Sequence, residues 1–314
     1  MSPHPPPDAV PDPAVLSPDR CVLIAGPTAS GKSALALRIA QAQGRAVVNA
    51  DALQVFRGWP LLTAQPAADD HARAEHLLYG HLPFDADYSV GAWLREVAPL
   101  LHRRPAPVIV GGTGLYLTAL TEGLADIPQT DPALRTEATR HRETAGLAAL
   151  VADLDPETRG RIDTRNPMRV QRAWEVLRQT GRGLASWQDD TGLPLLPPDS
   201  AHLIQIVAPP DLLGPRIAAR FDAMLRAGAL EEARAMRPAW NPVHLSSRAI
   251  GARELIAVLD GTLRESEAAA RACIATRQYA KRQRTWFRRR MQHWPALHAA
   301  TLCEDSGQHT RKRP

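Results

Sequence analysis

Gly26-Pro27-Thr28-Ala29-Ser30-Gly31-Lys32-Ser33 fits the pattern G-x-x-x-x-G-K-[ST], the loop that cradles phosphate. The apolar run Cys21-Val22-Leu23-Ile24-Ala25 leads into it, and a helical pattern leaves it. Strand, glycine-rich turn and helix N-terminus together aim backbone N–H groups at an anion. Lys32 adds a point charge, and the Ser33 hydroxyl can reach a metal ion. A tight turn can match the pattern by chance, but here the strand and helix around it are in place. On its own the loop specifies a di- or triphosphate and does not say which.

Working outward, residues 32–43 read as a helix with Leu35 and Ile39 inward and Gly44 placed to end it. Residues 46–49 form the next strand, so the chain begins β-α-β and its sheet is parallel. Asp51 falls just past the carboxyl end of that strand, the edge where open α/β sheets bind ligands. A solvated loop aspartate is the competing reading. Residues 63–88 read as loops, and His71, His76 and His81 within them, five apart with no carboxylate at ligand spacing, do not read as a metal cluster. Residues 88–102 are helical. The strand 108–110 ends in Gly111-Gly112-Thr113-Gly114, where a nucleotide hydrolase would usually place an acidic residue for magnesium. Glycines there let the backbone approach a ligand closely.

From 125 to 200 the pattern turns helical and charged, as an insertion interrupting the sheet domain. Arg165, Arg169 and Arg172 share one helix face; Val170, Ala173, Trp174 and Leu177 share the opposite one, and Gly181 is the stop. Residues 203–207 return to strand. Asp211 is placed to cap a helix that points Arg216 and Arg220 the same way, toward the ligand edge if this strand rejoins the sheet. No acidic residue occurs between Glu267 and Glu304. Across that interval Arg277, Lys281, Arg284 and Arg288 form a stripe at helical spacing, widened by Arg282, Arg289 and Arg290, with Tyr279, Trp286 and Phe287 interleaved. Uncompensated cations on one helix repel one another, and a polyanion that releases its counterions on binding relieves this.

Composition sets the outer bounds. The 314 residues are 23% charged and 44% hydrophobic, ordinary for a soluble chain, with a formal net charge of +5. Three cysteines lie far apart without a C-x-x-C pair, so neither a disulfide framework nor a zinc site is expected, and a reducing cytoplasm fits. No run of about 18 apolar residues and no signal peptide is evident. The proline-rich residues 1–19 read as a disordered leader, and 299–314 as a flexible tail.

The order of these stretches resembles the tRNA dimethylallyltransferase family, bacterial type. The matching blocks are the phosphate loop, Asn49-Ala50-Asp51-Ala52-Leu53-Gln54-Val55-Phe56-Arg57-Gly58, Val110-Gly111-Gly112-Thr113-Gly114-Leu115-Tyr116, Asn166-Pro167-Met168-Arg169-Val170-Gln171-Arg172-Ala173, Arg248-Ala249-Ile250-Gly251-Ala252-Arg253-Glu254 and Thr276-Arg277-Gln278-Tyr279-Ala280-Lys281-Arg282-Gln283. The resemblance implies an α/β, P-loop NTPase-like core with a parallel sheet flanked by helices (20–124 and 201–298). It also implies a helical insertion (125–200) that clasps the tRNA anticodon stem. The activity implied is transfer of a dimethylallyl group from dimethylallyl diphosphate to N6 of the adenosine beside the anticodon, releasing diphosphate, in a monomer that needs Mg2+.

On that resemblance residues 26–33 hold the diphosphate, with the metal near Ser33, and Asp51 takes the proton from N6. Thr113 and Arg220 sit on the leaving oxygen, and Lys32 shares that work. The acceptor base must leave the anticodon stack to reach the site. Positions matching tRNA contacts are Asp51, Ala52, Leu53, Gln54, Thr113, Arg135, Met168, Arg169, Val170, Gln171, Arg172, Arg248, Arg253, Arg277, Gln278, Lys281, Arg282 and Arg284. Two departures stand out. Ala52 replaces a usual serine, and the family's Met-Asp-Ile-Gly-Thr-Ala-Lys-Pro reads here Trp59-Pro60-Leu61-Leu62-Thr63-Ala64-Gln65-Pro66, which puts the local loop path in question.

Three rivals explain less. A phosphate-loop kinase of a small metabolite leaves the glycine-rich end of the 108–110 strand and the basic stripe without a use. Prenyl transfer to free adenine nucleotides needs no extended cationic surface, and a non-catalytic RNA-binding protein needs no phosphate loop.

Overall fold

The computed structural model describes residues 10–302. It divides into two compact units, residues 122–195 and the remainder. Strands are numbered in chain order, as are helices of eight residues or more.

The larger unit begins with β1 (Val22–Ala25), the phosphate loop and α1 (Lys32–Gln43), which Gly44 ends in the left-handed region. There follow β2 (Val47–Asn49), β3 (His76–Leu77), α2 (Val90–Val97), β4 (Val108–Gly111) and α3 (Gly114–Glu122). The smaller unit contains α4 (Pro132–Ala145) and α5 (Pro167–Thr180). The chain then returns with β5 (His202–Val207), α6 (Pro210–Arg226), α7 (Ala229–Met236), α8 (Ala252–Leu259), the long α9 (Glu265–Arg290) and β6 (Ala296–His298). Among the described residues no helix is long and apolar enough to cross a membrane.

The six strands are parallel, in the order β3-β2-β4-β1-β5-β6. β1 lies between β4 and β5, and all four of its residues are fully buried. That burial explains why it reads as an unbroken apolar run rather than an alternating one. Alternate residues serve different faces. Val22 and Ile24 pack with Leu35, Ile39, Leu213 and Ile217, while Leu23 and Ala25 pack with Trp93, Val97, Leu117 and Phe287. Burying each such aliphatic side chain contributes roughly 1.5–3 kcal/mol. A third apolar cluster (Trp59, Leu62, Phe221, Leu255, Ile256) joins α6, α7, α8 and α9.

Several sequence expectations change here. β3 falls where a loop was expected, and β6 lies inside the expected core (201–298) in a stretch that was not read as a strand. Asp211 does not cap α6: Pro209 holds that position, and Asp211 lies in the first turn, where it still complements the helix dipole. Residues 10–19 are not a disordered leader. Leu16 is buried, and Gln43 Nε2 donates to the carbonyls of Pro13 (2.7 Å) and Leu16 (2.8 Å). The buried Arg45 donates to those of Ser17, Arg20 and Ala106. Residues 1–9 lie outside the described part. The flexible tail likewise does not begin at 299, since Ala299 is buried and donates to the Val207 carbonyl at 2.9 Å. Residues 303–314 lie outside the description.

In the smaller unit Asn166 caps α5 by accepting from the N–H groups of Met168 and Arg169, and Gly181 ends it. Val170, Ala173, Trp174 and Val176 form its core with Ala138 and Leu150.

Candidate active site

The carboxyl edge of the sheet builds the site, and Asn49 starts it. This side chain is fully buried at the end of β2. Its Oδ1 accepts from the Asp51 N–H at 2.8 Å, and its Nδ2 donates to the carbonyls of Asp51 (3.0 Å) and Leu78 (2.9 Å). The turn after β2 is thus fixed, with Asp51 at its apex and the Leu53 N–H donating to Asp51 Oδ1 at 3.1 Å. β4 comes unusually close to this turn: a Cβ on Gly111 would fall 2.0 Å from the Ala50 carbonyl oxygen. Only glycine fits there. Thr113 Oγ1 then accepts from the Ala52 N–H at 3.0 Å.

Across from Asp51 lies the phosphate loop. Ala29 is held at φ 62°, in the left-handed region that strains a residue with a side chain. The Ser30 hydroxyl is fully buried and finds no hydrogen-bond partner among the described residues. An unsatisfied buried donor inside a phosphate-type loop is what a bound anion would satisfy. From α6, Arg220 Nη1 donates to Thr28 Oγ1 at 3.2 Å and Arg216 Nη1 reaches the Ala29 carbonyl at 3.5 Å. The i, i+4 spacing therefore delivers both guanidinium groups to one loop. Burial lowers the pKa of Arg220, and the Asp51 carboxylate opposes that.

Thr28, Ala29, Lys32, Asp51, Gln54 and Arg220 face one cavity. Its other wall is apolar, made of Leu53, Leu62, Ile217, Phe221, Met224 and Ile250. Polar groups concentrate at the phosphate loop. Of the apolar residues, Phe221 follows Arg220 directly and Met224 follows it one turn later on α6.

Lys32 is pushed down to about 8, first by burial and then by Arg220, with Asp51 opposing. Its ammonium is complete below that pH and is lost above it, whereas a bound anion favours the charged form. Affinity for inorganic diphosphate should therefore hold below pH 8 and weaken above it, by at most about tenfold per pH unit. Calorimetry at rising pH measures this against Lys32→Met, which lacks the titrating proton. Parallel profiles for the two proteins would refute the assignment.

The other residues singled out in the sequence divide. Arg248, Arg253, Arg277, Gln278, Lys281 and Arg282 are exposed on the larger unit, and Arg284 is half-buried. In the smaller unit Arg135, Met168 and Arg169 are exposed. The Val170 side chain is fully buried in that unit's core. Gln171 is also spent internally, bonded to Arg142, Thr139 and Glu175. Arg172 donates to Thr130 Oγ1 and stands 4.0 Å from Glu175. Thr113 does not line the cavity; its hydroxyl braces the Asp51 turn by accepting from the Ala52 N–H. Two site residues were not singled out individually in the sequence, where the resemblance gave the whole 276–283 helix to tRNA: Tyr279 and Gln283. The available signal was their i, i+4 spacing: Gln283 is buried on α9 with Ala280 and Phe287, and Tyr279 lines the cavity.

With this geometry in hand, similarity to known proteins is informative. The family model described as IPP transferase matches residues 54–290, and that described as isopentenyl transferase matches residues 19–70. The tRNA dimethylallyltransferase of Paracoccus denitrificans is 58% identical over 287 residues, covering 90% of this chain and 95% of that protein. That of Cereibacter sphaeroides strain ATCC 17025 is 59% identical over 284 residues, covering 90% and 97%. Among solved structures, a tRNA delta(2)-isopentenylpyrophosphate transferase from Staphylococcus epidermidis is 28% identical with TM-score 0.62, covering 93% of this chain and 99% of that one. A eukaryotic dimethylallyltransferase acting on tRNA is 25% identical with TM-score 0.75, covering 89% and 74%. These neighbours share the parallel, P-loop-like sheet with its flanking helices, and the chain belongs to the tRNA dimethylallyltransferase family.

Proposed function

We propose that this chain transfers the dimethylallyl group of dimethylallyl diphosphate to the exocyclic N6 of an adenosine beside the tRNA anticodon. The observation that carries the reading is the single cavity in which phosphate loop, Asp51, Arg220 and an apolar wall converge. In the transfer, the N6–C1 bond forms and the C1–O bond to diphosphate breaks. The N6 proton passes to Asp51, and diphosphate departs with the electron pair. Asp51 orients the amine and absorbs the charge that develops on it. Lys32, Arg220 and the loop N–H groups stabilise the charge growing on the leaving oxygen. The apolar wall holds the five-carbon group and keeps water from an allylic cation-like centre. Thr113 acts on Asp51 through the backbone of its turn.

Mg2+ suits the site as proposed. Ser33 is exposed on the first turn of α1, and magnesium commonly takes one or two protein oxygens while the substrate phosphates and water complete its shell. When bound, the ion would neutralise diphosphate charge.

The tRNA is proposed to meet the exposed cations of α9, with Arg135, Met168 and Arg169 of the smaller unit on the anticodon stem. Changing Arg277, Lys281 and Arg284 together to Gln should weaken tRNA binding. It should also make the slope of log affinity against log salt shallower by about two to three. An unchanged slope in filter binding would remove α9 as the docking face.

Incubation with unmodified tRNA, Mg2+, ATP and allyl-labelled dimethylallyl diphosphate tests the whole reading. Label recovered as isopentenyladenosine after nucleoside digestion supports it. Phosphate transferred from ATP with no allyl label in RNA would favour a kinase instead, and label in added AMP but not in tRNA would favour a free-nucleotide acceptor.

A further inference from the structure

On the inner side of α9, Gln283 is 5% exposed and joins two loops that lie far apart in the chain. Its Oε1 accepts from the Thr28 N–H of the phosphate loop at 2.9 Å. Its Nε2 donates to the Gly112 carbonyl, beyond β4, also at 2.9 Å. Tyr279, one turn earlier, lies beside both Gln283 and Thr113 and lines the cavity. Gly112 makes room for the contact: a Cβ there would fall 2.2 Å from Gln283 Nε2 and 3.3 Å from Asp51 Oδ2. The side-chain type matters as well. An amide offers an acceptor and a donor in one plane, whereas a carboxylate cannot donate to Gly112 and an ammonium cannot accept from Thr28.

We propose that Gln283 is a positioning residue, which sets the gap between the phosphate loop and Asp51 and ties both to the helix that presents the exposed cations Arg277, Lys281 and Arg282. The inference rests on the proposed prenyl transfer. Leaving group and base then keep their separation because one buried amide spans them, and RNA docked on the outer face of α9 is registered to that same amide. A displacement of about 1 Å in such a geometry is enough to cost on the order of a hundredfold in rate.

The test compares full-length wild type, Gln283→Ala and Gln283→Glu, with dimethylallyl diphosphate and tRNA as substrates, from about pH 6 to about pH 9. A buried carboxyl in place of the amide has a raised pKa. Once protonated it reproduces the amide, with its C=O accepting from Thr28 and its O–H donating to Gly112. Beside that position Tyr279 feels Asp51 and Arg282, and in the phosphate loop that Gln283 holds Lys32 feels Asp51 and Arg220. All are present in wild type too, so the ratio of variant to wild-type rate removes their titration.

Gln283→Ala should lower kcat about a hundredfold, with KM for tRNA changed by less than about threefold. The Gln283→Glu to wild-type ratio should rise at least about tenfold as pH falls, since only the protonated acid can donate. Misfolding would not produce that recovery, so the Glu variant decides even if the Ala variant is unstable. A flat ratio across the range, or a loss confined to KM for tRNA, overturns the role. If wild type itself transfers no dimethylallyl group, the functional reading fails, and this inference with it; a competent wild type with a flat ratio sinks only Gln283.

Discussion

Asp51→Asn should leave the protein folded and tRNA bound while single-turnover dimethylallyl transfer falls by about 10²–10⁴-fold. The substitution is shaped to separate chemistry from architecture. The turn is held mainly by Asn49 and Thr113, whose bonds go to the backbone at 51 and 52. An asparagine Oδ1 can still accept from the Leu53 N–H, as Asp51 Oδ1 does. The variant therefore loses little beyond one negative charge and the capacity to take a proton. That charge also favours the protonated Lys32 across the cavity, so some weakening of diphosphate binding should accompany the rate loss. The two effects separate at saturating donor, where only the loss of the proton acceptor persists. Transfer within tenfold of wild type under those conditions would remove Asp51 as the base. A tRNA affinity that collapses in step with the rate would make it a recognition residue instead.

How much of this was legible in the sequence depended on range. The helix after the phosphate loop was readable to the residue, because its start and its stop are local: Lys32 follows the loop and Gly44 supplies the left-handed end. Lys32, Asp51 and Arg220 were readable as one site because parallel sheets bring their carboxyl-end loops together. β3 and β6 have two and three residues, too few for a period to register. The leader misled for a non-local reason. Its prolines and aspartates suggest disorder, yet its carbonyls are taken up by Gln43 at the end of α1 and by Arg45 just beyond it. At 170 the family likeness suggests an RNA contact, while the apolar periodicity of the same helix places the Val170 side chain inward, and the structure buries it. Tyr279 and Gln283 were hidden by the cations around them, which drew the eye to the other face of α9.

The Trp59–Pro66 departure is resolved by neighbours invisible to a linear reading. Glu232 of α7 accepts from the N–H groups of Leu61 (2.6 Å) and Leu62 (3.1 Å), the first turn of the short helix Pro60–Thr63. Trp59 is almost wholly buried, edge-on to Trp240 with ring centroids 6.0 Å apart. Gln65, where the family pattern has lysine, donates to the Phe56 carbonyl at 2.8 Å. The altered stretch is thus as firmly held as its surroundings, and it places Leu62 in the apolar wall of the cavity. Losing a glycine and a lysine here changed the means of support without leaving the wall open.

Arg220→Ala should lower the rate of the chemical step by about 10²–10³-fold, roughly 2.7–4 kcal/mol, while tRNA affinity stays near that of wild type. The magnitude follows from where the guanidinium lies. It is largely withdrawn from water and already aimed at Thr28 of the phosphate loop, so no reorganisation is needed as charge builds on the leaving oxygen. Arg216 reaches the same loop at Ala29, but its 3.5 Å contact is to a carbonyl, so it neutralises charge with less direction and should compensate only in part. Arg220→Lys distinguishes charge from geometry: an ammonium keeps the charge and loses the planar fork, so it should recover some but not most of the rate. Full recovery would mean that charge alone matters. A loss appearing only in donor KM would mean that Arg220 binds diphosphate equally in ground and transition states, and the stabilisation of the departing oxygen would then fall to Lys32 and the loop N–H groups.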